Sequence, residues 1–205
     1  MRLTRPLVLA SASPRRQQLL EEAGLAFEAL ATPAEAEERL APGLPPGELA
    51  ERSALAKARW AAQRRPQAVV LGADTIVVLG EEILGKPTDR EDARGMLARL
   101  SGRTHRVITG FALIGPGLSC VSRVETAVRF RPLDEGAIDR YLESGEPMDK
   151  AGAYAIQGMG GSLVDRVEGS YTNVIGLPLP EVLVPLRDCG ILEDGPIAAP
   201  PERRN

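Results

Sequence analysis

Ala68-Val-Val-Leu-Gly-Ala-Asp74 is an unbroken apolar run that ends on a carboxylate. A strand exposed on one face alternates apolar and polar residues, whereas a strand covered on both faces does not. The run therefore predicts a central strand of an α/β sheet, with Asp74 at its end. In open α/β sheets the carboxyl ends of such strands face the ligand crevice, so Asp74 is the first candidate for chemistry.

The neighbouring segments agree with that reading. Leu7–Ala10 is a second short apolar strand, and Ser13-Pro14 opens a helix that Gly24 stops, with the serine hydroxyl at the cap. Phe27–Ala31 is a third candidate strand, and the alanine-rich stretch from Glu48 to about Arg64 is a helix. Ile76–Ile83 reads as a hairpin turning at Gly80-Glu81, and Thr88 caps a helix over 89–100. Two long strands, Arg106–Ile114 and Leu118–Phe130, flank the turn Gly115-Pro116-Gly117, and a helix follows over 134–143. Strands are expected at Leu163–Val167 and Thr172–Ile175, and a last helix at Pro178–Arg187. The expected architecture is a single mixed β-sheet core with flanking helices, in two lobes around a cleft. Residues 1–189 form that domain, and the Pro- and charge-rich stretch 190–205 is expected to be a disordered tail.

Composition removes several chemistries. The single histidine, His105, lies in an alternating run and reads as a strand residue, which leaves no multi-histidine metal site. Cys120 and Cys189 have no metal-ligand spacing, and their expected state is reduced. A net charge of −3 argues against a nucleic-acid partner. No stretch approaches the roughly 20 apolar residues of a membrane span, so a soluble, cytoplasmic protein is expected. Catalysis has to rest on carboxylates, lysines, arginines and hydroxyls.

Against that background three lysines stand out among twenty-two arginines: Lys57 in ALAKARW, Lys86 in LGKPTD and Lys150 in MDKAGAY. A lysine is a compact point charge that a planar guanidinium does not reproduce. Ser11-Ala-Ser13-Pro-Arg15-Arg16 places two hydroxyls and two guanidiniums at a helix start, a seat for a pyrophosphate or triphosphate. Gly85-Lys86-Pro87 would hold an ammonium in a stiff loop near Asp74. Gln157, among small residues, offers the donor and acceptor pair that reads a base edge. A divalent magnesium ion takes one or two carboxylates plus phosphate oxygens. Asp74 is one such carboxylate, and the second is sought among Glu35, Glu37 and Glu38 of the acidic loop.

LASASPRRQQLL, SALAKA, LGADTIV, LGKPTD, LSGRTHRVITG, DKAGAYAIQG and NVIGLPL together resemble the Maf family, in its order and spacing, from Leu7 to Leu186. These are nucleoside triphosphate pyrophosphatases once described as septum formation inhibitors. The resemblance implies hydrolysis between the α and β phosphates with a divalent cation, Mg2+ or Mn2+. It implies Asp74 as the catalytic aspartate, and Ser11, Arg16, Lys57, Lys86 and Gln157 as the phosphate and base site. Glu37 is the placement for the family's loop carboxylate, with Glu35 and Glu38 as alternatives because the loop is longer here. Arg15, Thr75 and Gln157 resemble the dTTP/UTP type rather than the 7-methyl-GTP type. A non-catalytic nucleotide sensor acting on cell division is a further alternative, and a homodimer stays open.

Overall fold

The computed structural model describes residues 1–33 and 43–193. Its centre is a seven-stranded mixed sheet built from β2 (Leu7–Ala10), β3 (Glu28–Ala29), β4 (Val69–Leu79), β5 (Glu82–Leu84), β6 (Thr104–Gly115), β7 (Leu118–Phe130) and β8 (Val164–Glu168), in the order β3-β2-β4-β6-β7-β8 with β5 against β4. β2 runs parallel to β3 and β4, and the β4-β6-β7-β8 ladder is antiparallel. A separate two-stranded ribbon joins β1 (Arg2–Leu3) to β9 (Leu192–Glu193). The expected single mixed sheet with flanking helices is therefore present.

Helices cover both faces, which is why the central strands read as continuous apolar runs. On one face α2 (Pro46–Ala62) lies against β4 and β6, where Ala54, Ala58 and Ala61 meet Val8, Ala10, Val70 and Ala112. The approach is close enough to need glycine on the sheet. A Cβ on Gly72 would stand 2.2 Å from the Ala54 carbonyl oxygen, and one on Gly110 would stand 2.3 Å from that of Ala50. The alanine-rich composition of α2 and these two glycines are two halves of one packing solution. On the other face the larger core gathers Leu7, Leu9, Val69, Leu71, Val77 and Leu79 against Leu19 and Leu20 of α1 (Pro14–Glu22). It also takes in α3 (Arg90–Leu100), α4 (Glu135–Glu143) and α6 (Leu179–Asp188).

The structure corrects several expectations. Asp74 does not end its strand: β4 continues to Leu79, because β6 pairs with it residue for residue from Val70 to Val78. Thr172–Ile175 is helical, lying in α5 (Tyr171–Ile175). The Ser170 side chain caps that turn by accepting from the Asn173 amide, and local capping outweighs the β-branched composition. The Ser13 hydroxyl makes no cap bond, whereas the cap of α3 is Asp89, not Thr88. The folded chain also runs past 189. Leu192 and Glu193 pair with Arg2 and Leu3, Leu192 is buried, and Arg2 bonds the Glu193 carboxylate at 2.8 Å. The rest of the expected tail lies outside the described residues. His105 is a buried strand residue, as its alternating context predicts.

Candidate active site

The strand pairings leave a notch in the sheet. β2 pairs with β4 from Val69 to Gly72 and then departs at Ser11, and β5 rejoins β4 only at Val77. There β4 borders a cavity of about 610 Å³, which its residues Asp74, Thr75 and Val77 line. Successive residues of a strand point to opposite faces, so Asp74 and Thr75 serve different walls of this opening.

Asp74 turns toward α2. Its Oδ1 accepts a bond from Lys57 Nζ at 2.6 Å, with the Lys57 side chain 9% exposed and that of Asp74 22% exposed. Thr75 turns toward α1, where Arg16 organises the wall. The Arg16 guanidinium donates to the Gly176 carbonyl from Nε at 2.8 Å, to Ser11 Oγ from Nη1 at 3.1 Å and to Thr75 Oγ1 from Nη2 at 3.1 Å. Thr75 Oγ1 lies 2.9 Å from Thr109 Oγ1, which donates to the Asn173 carbonyl at 3.2 Å. One guanidinium thus ties the loop after β2, the middle of β4 and the end of α5 together. Ser11 Oγ also accepts from the Ser13 amide at 3.2 Å, which shapes the entry to α1.

All eight candidate side chains within the described residues line this one cavity: Ser11, Arg15, Arg16, Lys57, Asp74, Thr75, Lys86 and Gln157. Glu37, with Glu35 and Glu38, lies outside the described residues. All three lysines of the chain are there, since Lys150 lines it too. Sequence reasoning missed Asp149, a second carboxylate on the wall, which receives a bond from Lys150 that holds its carboxyl below the ordinary value. Its only signal was adjacency to a rare lysine. Arg15 is half-buried, and desolvation lowers its pKa against the opposing pull of Asp149. Lys86 stays near the notch because the Gly152 amide bonds the Gly85 carbonyl at 3.0 Å.

The described lining carries five cationic side chains, Arg15, Arg16, Lys57, Lys86 and Lys150, against the carboxylates Asp74 and Asp149. In a chain with a net charge of −3, that is a local reversal of sign. The model of the family described as Maf-like protein matches residues 6–189. The chain belongs to the Maf-like protein family. Its relatives include a dTTP/UTP pyrophosphatase of Symbiobacterium thermophilum, 54% identical over 84% of this chain and 88% of that protein. A dTTP/UTP pyrophosphatase of Anaeromyxobacter dehalogenans is 51% identical over 90% of this chain and 94% of its own. A third, from Desulforamulus reducens, is 46% identical over 91% and 98%. Within this Maf-like chain no helix among the described residues is long and apolar enough to cross a membrane.

Proposed function

We propose that this Maf-like chain is a nucleoside triphosphate pyrophosphatase that cleaves dTTP and UTP into the nucleoside monophosphate and pyrophosphate. The observation that carries the reading is the excess of cations around Asp74 in a cavity large enough for a nucleotide. The names of the relatives supply the substrate class.

In this reading the triphosphate lies across the notch. Lys57, Lys86 and Arg15 spread the charge that builds on the departing pyrophosphate, the main electrostatic device in phosphoryl chemistry. Arg16 holds Ser11 and Thr75 in place, so that the phosphates meet a preformed wall. Asp74 takes the proton of a water that attacks the α-phosphorus, the bond to the bridging oxygen breaks, and pyrophosphate leaves. Gln157 presents its amide to the base.

A divalent cation, Mg2+ or Mn2+, fits this donor set. Among the described residues no group of three His, Cys, Asp or Glu side chains would hold a metal alone. Magnesium, however, takes one or two carboxylates and completes its shell with phosphate oxygens and water. Asp74, part-exposed into the cavity, would be one ligand, and Glu37 is proposed as the other. When bound, the cation neutralises phosphate charge and acidifies a coordinated water. Incubating the protein with Mg2+ and dTTP, UTP, CTP or 7-methyl-GTP, and resolving products by phosphorus NMR, tests the reading. Pyrophosphate from dTTP and UTP is expected, with activity lost in chelator and restored by Mg2+. Equal rates on every triphosphate, or release of orthophosphate alone, would reject it.

A further inference from the structure

The backbone on either side of Gln157 is bonded by two side chains that do not line the cavity. Tyr141 is buried near the end of α4, and its hydroxyl donates to Glu146 Oε1 at 2.9 Å while accepting from the Ala155 amide at 3.1 Å. The Glu146 carboxylate then accepts from the amide of Gly160 through Oε1 and from that of Met159 through Oε2, both at 3.1 Å. The backbone is therefore tied to one tyrosine–glutamate pair on both sides of Gln157.

The chain around Gln157 packs closely against this pair. Gly158 has φ +87° and ψ −149°, and a Cβ there would stand 2.6 Å from Glu146 Oε2. A Cβ on Gly160 would stand 2.2 Å from the Ala155 carbonyl oxygen and 2.7 Å from the Tyr141 hydroxyl. Just upstream, Ala153 at φ 58° is the one non-glycine with positive φ among the described residues. Glycines loosen a segment unless something fixes it, and a carboxylate that collects a hydroxyl and two amides does so with charge-assisted bonds. Arg15, Ala155, Ile156 and Gln157 line the cavity, whereas Tyr141 and Glu146 stand behind them.

A carboxamide offers an NH2 donor group beside a carbonyl acceptor, and by turning over it can match several base edges. Its selectivity depends on where the backbone places it. We infer that Tyr141 and Glu146 are positioning residues for base recognition, fixing Gln157 so that the site selects its base without taking part in the phosphate chemistry. The inference rests on the pyrophosphatase reading above.

Glu146→Gln tests it, because the new amide sets an NH2 group against backbone N–H donors and releases the turn. Steady-state rates with dTTP, UTP and 7-methyl-GTP are measured alongside competitive inhibition by inorganic tripolyphosphate, which reports the phosphate wall alone. The expected result is a KM for dTTP and UTP raised about tenfold with kcat within about threefold, since loss of about one hydrogen bond's binding is at stake. The preference for dTTP over 7-methyl-GTP should shrink, and the tripolyphosphate inhibition constant should not rise, because Glu146 is a negative charge near Arg15 whose loss does not weaken binding of an anion. Tyr141→Phe, which removes one oxygen, should give the same split more weakly, and it decides the question if Glu146→Gln does not fold. An unchanged KM and preference in a folded variant overturns the inference, as does a parallel weakening of tripolyphosphate. If the wild type fails to cleave dTTP and UTP at all, the underlying reading fails instead.

Discussion

Lys57 Nζ and Asp74 Oδ1 lie 2.6 Å apart at the seam where α2 crosses β4. The contact is possible because Gly72, two residues earlier on the same face of the strand, lets the helix backbone approach. Alanine packing on α2 thus sets how close the ammonium comes to the carboxylate, and the chemistry inherits its geometry from the core.

Asp74→Asn keeps the shape and an acceptor for Lys57 but removes the proton-accepting charge. A positioned base contributes about 10²- to 10⁴-fold. The kcat for dTTP should fall at least about a hundredfold, and the thermal midpoint should fall as well, because the buried Lys57 ammonium loses its counter-charge. Steady-state assays and thermal unfolding on the same preparation check both halves, and retention of a substantial fraction of kcat would remove Asp74 from the mechanism.

Lys86 is exposed, and no ion pair of its ammonium is seen among the described residues. Surface substitutions of this kind shift stability by no more than about 0.5 kcal/mol. Lys86→Ala should therefore leave unfolding by urea unchanged. A bond to a charged phosphate is worth about 1.5–3 kcal/mol, so kcat/KM should drop about ten- to a hundredfold. A loss of stability without a loss of activity would place Lys86 in the scaffold.

How much of this was legible in the sequence depended on range. The part of β4 up to Asp74 was readable because burial on both faces leaves an apolar run. Its continuation past Asp74 was not, because the pattern breaks where the strand borders the cavity and only β6, some 35 residues away, keeps it extended. Thr172–Ile175 looked like a strand from its β-branched residues. Buried Asn173, bonded to the Val107 carbonyl at 3.0 Å and Thr126 Oγ1 at 2.9 Å, anchors it instead as a helical turn. Asp74 was found because a carboxylate ends an apolar run, Lys57 and Lys86 because lysine is rare in this chain, and Ser11, Arg16 and Gln157 because their segments resemble the Maf family. The Tyr141–Glu146 pair and Asp149 were not, since each acts across a turn whose path no periodicity records.

Arg16→Lys tests the wall rather than the chemistry. One ammonium cannot span Gly176, Ser11 and Thr75 in the fixed fork of a guanidinium. Losing one or two of these bonds should lower stability by about 1–3 kcal/mol, read from the urea midpoint. Activity should fall further than that of Lys86→Ala, because Ser11 and Thr75 both lose their anchor. Wild-type stability in the lysine variant would mean that the fork does not hold the wall.

His105 makes stability depend on acidity in a defined window. Its ring is buried between Phe130 and Tyr154, with Nε2 2.8 Å from the Tyr154 hydroxyl and Nδ1 lacking a partner. Desolvation lowers its pKa from the ordinary 6.5 to about 4. Above pH 6.5 the ring is neutral whether the chain is folded or not, and it makes no difference to stability. Between pH 6.5 and about 4 the unfolded chain binds a proton that the folded chain refuses, so stability falls as the pH falls. At about 1.4 kcal/mol per unit the loss reaches about 3 kcal/mol at the bottom of the window. Because this is the only histidine of the chain, its ring resonances can be followed by NMR without ambiguity. The expected midpoint in the folded protein is near 4, with unfolding free energies from urea titrations declining below pH 6.5. A midpoint near 6.5 would show that the ring reaches solvent and that the Phe130–Tyr154 box does not close over it.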